Sequence, residues 1–507
     1  MTEKPPAYQI VRHGRLLDIP ARAVVAADLL VKDDTIIEIG PPGLAAPAEA
    51  RVIDATDRLL MAGLVNAHTH GGGSLGKGLG DKWSLELLLN ASPWLYSGFT
   101  VEDKRVAACL NAAEMVLKGC TAAYDLYFEI PAPSLEGLTA AGQGYADVGV
   151  RTVLAPMMAD TTLYRAIPGL LDALPESHRR QVETMRAAPF QEHVAACHRL
   201  LREWPFDRLV VRPALGPTIP LHCSDDFLVA CRDLARDHDI GIQMHLAESK
   251  VQAVAGIERY GRTLARYLDD LGLLGPRFTG AHCIWLDGDD LKRMRDRGAS
   301  IAHNPGSNLR VGSGIAPARE MIDCAIPVGI GTDGSASSDN QNMFEAMRLA
   351  AFVSRIVTPD PDRWLGTWEV LTLATEGGAR ALGMADAIGH LAPGYKADMV
   401  FLDLRNVNFV PLNDAANQVI NCEDGSAVDS VMIGGQMVLA GRHFTIIDYD
   451  RLRRDAQAAA ERLRSANAET KVRMDALETF VARHCIGLSC RPYHVQRRLD
   501  SLTPSTA

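Results

Sequence analysis

Eight apolar segments, each followed by a stretch with helical patterning, constrain the fold of this chain more than any other feature. They are "LLMAGLVNAHTH", "CTAAYDLYF", "VRTVLAPMM", "RLVVRPALGP", "IGIQMHLAES", "RFTGAHCIWL", "ASIAHNPGSN" and "IPVGIGTDGSAS". Continuous apolar runs suit strands buried on both faces, and their alternation with helices implies parallel βα units. One intervening stretch, "TVEDKRVAACLNAAEMVLKG", offers Thr100 as an N-cap and Gly119 as a stop; "SDDFLVACRDLARDHD" has the same character. Eight such units predict an α/β fold, a (β/α)8 TIM-like barrel over residues 63–388.

The flanks are patterned differently. Short β-like pieces fill residues 8–60 ("YQIVRHGRLLDI", "DLLVKDDTIIEIG", "ARVIDATDRLLM") and return over 395–447 ("YKADMVFLDL", "AVDSVMIGGQMVLAGR", "HFTII"). They predict one small composite β-sandwich domain formed by both chain ends, residues 1–62 and 389–447. A charged helical extension follows over 448–507. Its His484, Cys485, Cys490 and His494 are ligand-like in type, but their spacing fits none of the common zinc frameworks.

A length of 507 residues suits a large barrel plus a satellite domain. A net charge of −10 argues against a nucleic-acid partner, because no surplus of Lys and Arg is available to neutralise phosphates. No run approaches ~18 apolar residues and the first residues lack a signal-peptide pattern, so the expectation is a cytoplasmic protein with no membrane partner. Ten sparsely placed cysteines fit reduced thiols. A small-molecule substrate is the partner expected.

In such a barrel the C-terminal strand ends carry the active site. The polar residues there are unusual. The first segment ends in His68 and His70, whose alternation sends both side chains to one face of a strand. The fifth ends in His245 with Glu248 three residues on, the sixth in His282, the seventh in His303 and the eighth in Asp333. Singly, each has a plain structural explanation: an incidental His-x-His, a capping pair, a Thr-Asp-Gly turn. Jointly they predict a metal site, because chance does not readily place His, Asp or Glu at four strand ends of one mouth. Three imidazoles and one carboxylate suit a single divalent ion, zinc or alternatively iron, with positions open for water. The fourth segment has no lysine to bridge two metals.

A phosphate loop competes for the same stretch, since Gly71, Gly76 and Lys77 match the first seven positions of G-x-x-x-x-G-K-[ST]. The eighth is Gly78, so the Mg²⁺-binding hydroxyl is missing. Residues 71–96 read better as a long first βα loop over the site. There Trp83 and Trp94 either stack on a flat ring or pack within the loop.

The set "GLVNAHTH", "MHLAES", "GAHCIWL", "AHNPGSNLRVGSGIAP" and "GTDGSASSDNQNMFEAMRLA", with "LAPGYKADMVFLD", resembles the amidohydrolase superfamily in its cytosine-deaminase-like and chlorohydrolase-like branch, over residues 8–445. The resemblance implies His68, His70, His245 and Asp333 as metal ligands and Glu248, His282 and Asp333 as catalytic residues. It also implies a homo-oligomer, dimer or tetramer. The implied reaction is hydrolytic release of ammonia from an amino-substituted purine, pyrimidine, pterin or triazine; loss of chloride or alkylamine, or opening of a cyclic amide, are the alternatives. Both Asp333 and Glu248 are present, which favours deamination. Adenosine-type relatives carry "RG" and "WL" in the first loop, where this chain has Lys77-Gly78 and Leu87-Leu88. Substrate contacts are expected from His303, Asn304, Trp83 and Asp339, with Ser337 nearby; Asn304-Pro305-Gly306 also reads as a turn and Asp339 as a helix cap.

Overall fold

A computed structural model describes residues 7–498. Five strands precede the barrel: β1 (Tyr8–Asp18), β2 (Ala23–Lys32), β3 (Thr35–Gly40), β4 (Arg51–Asp54) and β5 (Arg58–Ala62). The barrel strands are β6 (Leu64–Thr69), β7 (Cys120–Phe128), β8 (Arg151–Met158), β9 (Val211–Pro217), β10 (Gly241–Leu246), β11 (Phe278–His282), β12 (Ser300–His303) and β13 (Val328–Ile330). Four more follow: β14 (Met399–Asp403), β15 (Val428–Ile433), β16 (Gln436–Ala440) and β17 (His443–Phe444).

Strands β6 to β13 lie side by side in chain order, each parallel to the next. All eight carry almost wholly buried residues, as expected of strands covered by helices outside and side chains within. Polar groups draw the first and last strands together. The Thr332 amide donates to Asn66 Oδ1 (3.0 Å), and the Asp333 amide donates to the His68 carbonyl (2.9 Å). Gly331 lies in this seam, where a Cβ would come 2.3 Å from Asn304 Oδ1 and 2.9 Å from the His68 amide nitrogen; only glycine permits that approach.

The two chain ends join as expected. One nine-stranded sheet runs β17-β16-β15-β14-β5-β1-β2-β3, with β4 on β1. The junction is the antiparallel β5–β14 pair, Met399 opposite Ala62 through Asp403 opposite Arg58. Val11, Leu29, Leu60, Met399 and Phe401 form part of its separate core.

The helix Val101–Leu117 begins as expected at Thr100, which makes a reciprocal capping box with Asp103. Gly119 follows it in the left-handed region (φ +74°). After the composite sheet come helices Tyr449–Ala466 and Ala468–Ser489. The second presents Met474, Leu477, Val481 and Leu488 to a cluster that contains Trp94, Leu163 and Leu170. Asn90 of helix Leu85–Leu95 fastens that helix to this one and to Tyr164 of helix Leu163–Ala166. Asn90 Nδ2 donates to the Met474 carbonyl (3.0 Å), and the Tyr164 hydroxyl donates to Asn90 Oδ1 (2.8 Å).

The ligand-like residues of the tail do not converge. His484 bonds the Pro168 carbonyl, Cys485 is buried in the apolar cluster, Cys490 is exposed and His494 pairs with Asp287.

Candidate metal centre and catalytic cleft

The site is built where backbone turns at the strand ends aim polar side chains inward. Ala247 (φ +48°), His282 (+69°), Cys283 (+52°) and Asp333 (+65°) are non-glycine residues in the left-handed region. Such conformations cost on the order of 1–3 kcal/mol each and persist where the surroundings hold them. They sit here at the ends of β10 and β11 and just after β13.

These turns bring four imidazoles and a carboxylate together. His70 Nε2 lies 3.1 Å from His245 Nε2 and 3.2 Å from Asp333 Oδ1, and His68 Nε2 lies 3.5 Å from the same oxygen. Ligand atoms held about 2 Å from a tetrahedral zinc would be about 3.3 Å apart, so the spacing fits such an ion.

The other ring nitrogens settle the protonation. His68 Nδ1 faces Gln243 Oε1 (2.7 Å), whose amide nitrogen donates to the Ala67 carbonyl (2.9 Å); that fixes the oxygen toward the ring. His70 Nδ1 faces the Leu126 carbonyl (2.7 Å) and His245 Nδ1 the Thr218 carbonyl (2.8 Å). Each Nδ1 must therefore donate, so in the neutral ring the inward Nε2 carries the lone pair. Two lone pairs facing each other at 3.1 Å repel unless a proton or cation lies between them. His68 Nε2 is also buried without a hydrogen-bond partner. The donor set, its spacing and this orphaned nitrogen all fit a divalent ion.

Burial holds the His68 imidazole below its usual pKa, and His245 well below, the neighbouring histidines adding to the effect there. His70 moves up, because Asp333 outweighs the burial that opposes it. Asp333 is held well below the usual carboxylate range: burial opposes this, but hydrogen bonds and charge from His68 and His70 prevail. Its Oδ2 accepts from Ser307 Oγ (2.6 Å) and its Oδ1 from the Gly334 amide (2.6 Å).

Glu248 and His282 stand beside this centre. His282 Nε2 is 3.7 Å from Glu248 Oε1 and 3.9 Å from Asp333 Oδ2, and its Nδ1 donates to Asn308 Oδ1 (2.8 Å). Burial pushes His282 down to about 4, so the ring is neutral at pH 7. Glu248 is only 3% exposed, and burial, with the charges of Asp333 and Glu86, raises it well above the usual carboxyl range. Its Oε2 has no partner. A neutral imidazole beside a carboxyl whose proton is held more tightly than usual is an arrangement suited to proton transfer.

A cleft above these groups is walled by Leu85, Leu88, Leu89, Met157, Ile219 and Ala336, with Ser92, Tyr96, Thr218 and Ser337 as further lining. It encloses about 60 Å³, room for a few water molecules. Residues 71–96, expected as a loop, contain the 3-10 helix Gly71–Gly76 and the helix Leu85–Leu95 that supplies this wall. Lys77 pairs with Glu114 and is spent there, which disposes of the phosphate loop.

The structure places most of the expected substrate contacts outside the cleft lining. None of Trp83, His303, Asn304 and Asp339 lines the cleft among the described residues. Trp83 packs edge-on against Trp94 (6.1 Å between rings). Asp339 is paired with Arg310 (2.7 Å) and accepts from the Gly78 amide. His303 and Asn304 are 1% and 0% exposed, inside the barrel against the Gly331 seam. Ser337 does line the cleft. Gln243, Asn308 and Ser307, which hold the inward groups from behind, escaped the sequence reading. Gln243 was findable, since it lies two residues before His245 and so shares its face of the strand.

Comparison with known proteins agrees with this geometry. The amidohydrolase family's pattern matches residues 59–438. A 5'-deoxyadenosine deaminase of Methanosarcina mazei is 30% identical over 449 residues, 88% of this chain and 96% of that one. A zinc-bound adenosine deaminase of Xanthomonas campestris superposes with a TM-score of 0.80 at 28% identity, covering 90% of this chain and 98% of the other. Atrazine chlorohydrolase of Arthrobacter aurescens TC1, complexed with zinc, gives 0.80 at 26% identity over 89% and 99%. The chain belongs to the amidohydrolase family.

Proposed function

We propose that this protein is a metal-dependent hydrolytic deaminase that releases ammonia from an amino-substituted purine, pyrimidine, pterin or triazine. One observation carries the proposal: three bare Nε2 atoms and the Asp333 carboxylate converge beside a separate buried acid, Glu248, that has a free oxygen. His68, His70, His245 and Asp333 are the proposed ligands of one divalent ion, zinc rather than iron, as in the zinc-bound adenosine deaminase. When bound, such an ion lowers the pKa of water from ~15.7 toward ~7 and makes hydroxide accessible at neutral pH.

The side chains do the rest. Asp333 accepts the proton of the attacking water, and His282, fixed by Asn308 from behind, orients that water with its bare Nε2. Glu248 gives its proton to a ring nitrogen as the ring carbon is attacked, takes up the proton of the added hydroxyl and passes it to the departing amine, and the proton held by Asp333 then restores the acid. The carbon–nitrogen bond breaks and ammonia leaves.

The test is ammonia release by zinc-loaded enzyme screened against aminopurines, aminopyrimidines, pterins and aminotriazines. Zinc bound with no ammonia from any class would overturn the reading. The likeness to atrazine chlorohydrolase favours a second reading, loss of chloride or alkylamine from a triazine, which chloride and amine detection in the same reactions separates from the first.

A further inference from the structure

No charged residue of the first loop lines the cleft among the described residues. Lys77 pairs with Glu114, and Glu86 accepts from Ser249 Oγ (2.6 Å) and Ser84 Oγ (3.0 Å). Arg310 is tied to Asp339 and to the carbonyls of Gly80 and Asp81. Apart from the proposed metal and proton-transfer groups, the cleft is lined by six apolar side chains, Leu85, Leu88, Leu89, Met157, Ile219 and Ala336, and by hydroxyls of which Ser92 and Ser337 already donate to the Leu88 and Gly334 carbonyls. The wall is backed rather than free. Its helix is fastened through Asn90 to the Met474 carbonyl and to the Tyr164 hydroxyl, and Trp94 packs into the cluster formed with the C-terminal helix. That helix lies beyond residues 59–438, the part that matches the family pattern.

We propose that this wall is an apolar subsite, so that the ring turned over carries a hydrocarbon substituent, alkyl or aryl, rather than a sugar or an acid. The proposal rests on the deaminase reading for the ring itself. A ribose or carboxylate placed against the leucines would lose water and find few partners, whereas each buried methylene of an alkyl group gains about fourfold in binding.

The experiment uses the full-length zinc-loaded enzyme and matched pairs, an aminopurine and a diaminotriazine each bearing a propyl or a 2,3-dihydroxypropyl group at the same ring position. The propyl compounds are expected to show at least tenfold higher kcat/KM, and a methyl-to-propyl series to rise about fourfold per carbon. Leu88→Asn, with zinc content unchanged, should flatten that series. Equal or faster turnover of the dihydroxypropyl compounds overturns the subsite. If neither ring yields ammonia the deaminase reading falls, and calorimetric binding of the same pairs decides the subsite separately. Tighter propyl binding then upholds it, and equal binding overturns it.

Discussion

Gln243→Leu should weaken metal binding without touching a ligand. Gln243 is fully buried and makes two bonds, accepting from His68 Nδ1 at 2.7 Å and donating to the Ala67 carbonyl at 2.9 Å. Leucine fills nearly the same volume but leaves both partners buried and unpaired. Each orphaned group costs about 1–3 kcal/mol, so the apo protein should lose about 2–6 kcal/mol of stability. The ring of His68 then has no fixed tautomer. With both the tautomer and the orientation that Gln243 imposes lost, zinc affinity should fall about 10–100-fold, the usual cost of removing such a partner. The assay is zinc competition against a chromophoric chelator, paired with thermal melts of apo and loaded protein. Gln243→Glu keeps the acceptor and should recover most of the affinity while the Ala67 carbonyl stays unpaired. If Gln243→Leu melts lower yet binds zinc within twofold of wild type, Gln243 is a packing residue and the reasoning fails.

Three further outcomes are expected. Glu248→Gln should retain its zinc and lose at least about 10²–10⁴-fold in kcat, because its amide cannot carry a proton; a kcat within threefold of wild type refutes the proton-transfer role. His245→Ala should lower bound zinc well below the one equivalent expected of wild type, and a full equivalent by elemental analysis in the variant counts against the ligand set. His303 is pushed by burial from 6.5 to about 4, so its contribution to stability is present above pH 6.5 and lost as pH falls toward 4. That loss amounts to about 3 kcal/mol, and a His303→Leu protein whose melting point falls as steeply as wild type over this window would refute it.

The barrel was legible because strands buried on both faces must be apolar throughout, and such runs stand out between helical patterns. "CTAAYDLYF" coincides with β7 residue for residue. One run misleads. "LLMAGLVNAHTH" reads as a single strand, yet it breaks at Gly63 into β5 of the composite sheet and β6 of the barrel. Both halves are buried, so hydrophobicity carries no mark of the change of sheet. The candidate ligands were legible because strand ends have fixed directions in a barrel. Loop side chains have none. Nothing in "GDKWSLE" says that Trp83 will lie on Trp94, or that Asp339 will be spent on an arginine 29 positions earlier.

What fixes the site is shared among strands in a way that no local motif records. His68 on β6 is oriented by Gln243 on β10, 175 residues away, and His70 by the Leu126 carbonyl on β7. His245 on β10 is held by the Thr218 carbonyl just after β9, and His282 on β11 by Asn308 just after β12. Each inward ring is thus set by an oxygen from a different barrel unit. A His-x-His can be moved to another strand end by chance, but it becomes a ligand pair only where neighbouring strands offer acceptors at the right height. The same holding serves the left-handed backbone at His282 and Asp333: the turns cost energy locally, and Asn308 behind the one and Ser307 behind the other fix the side chains those turns aim inward.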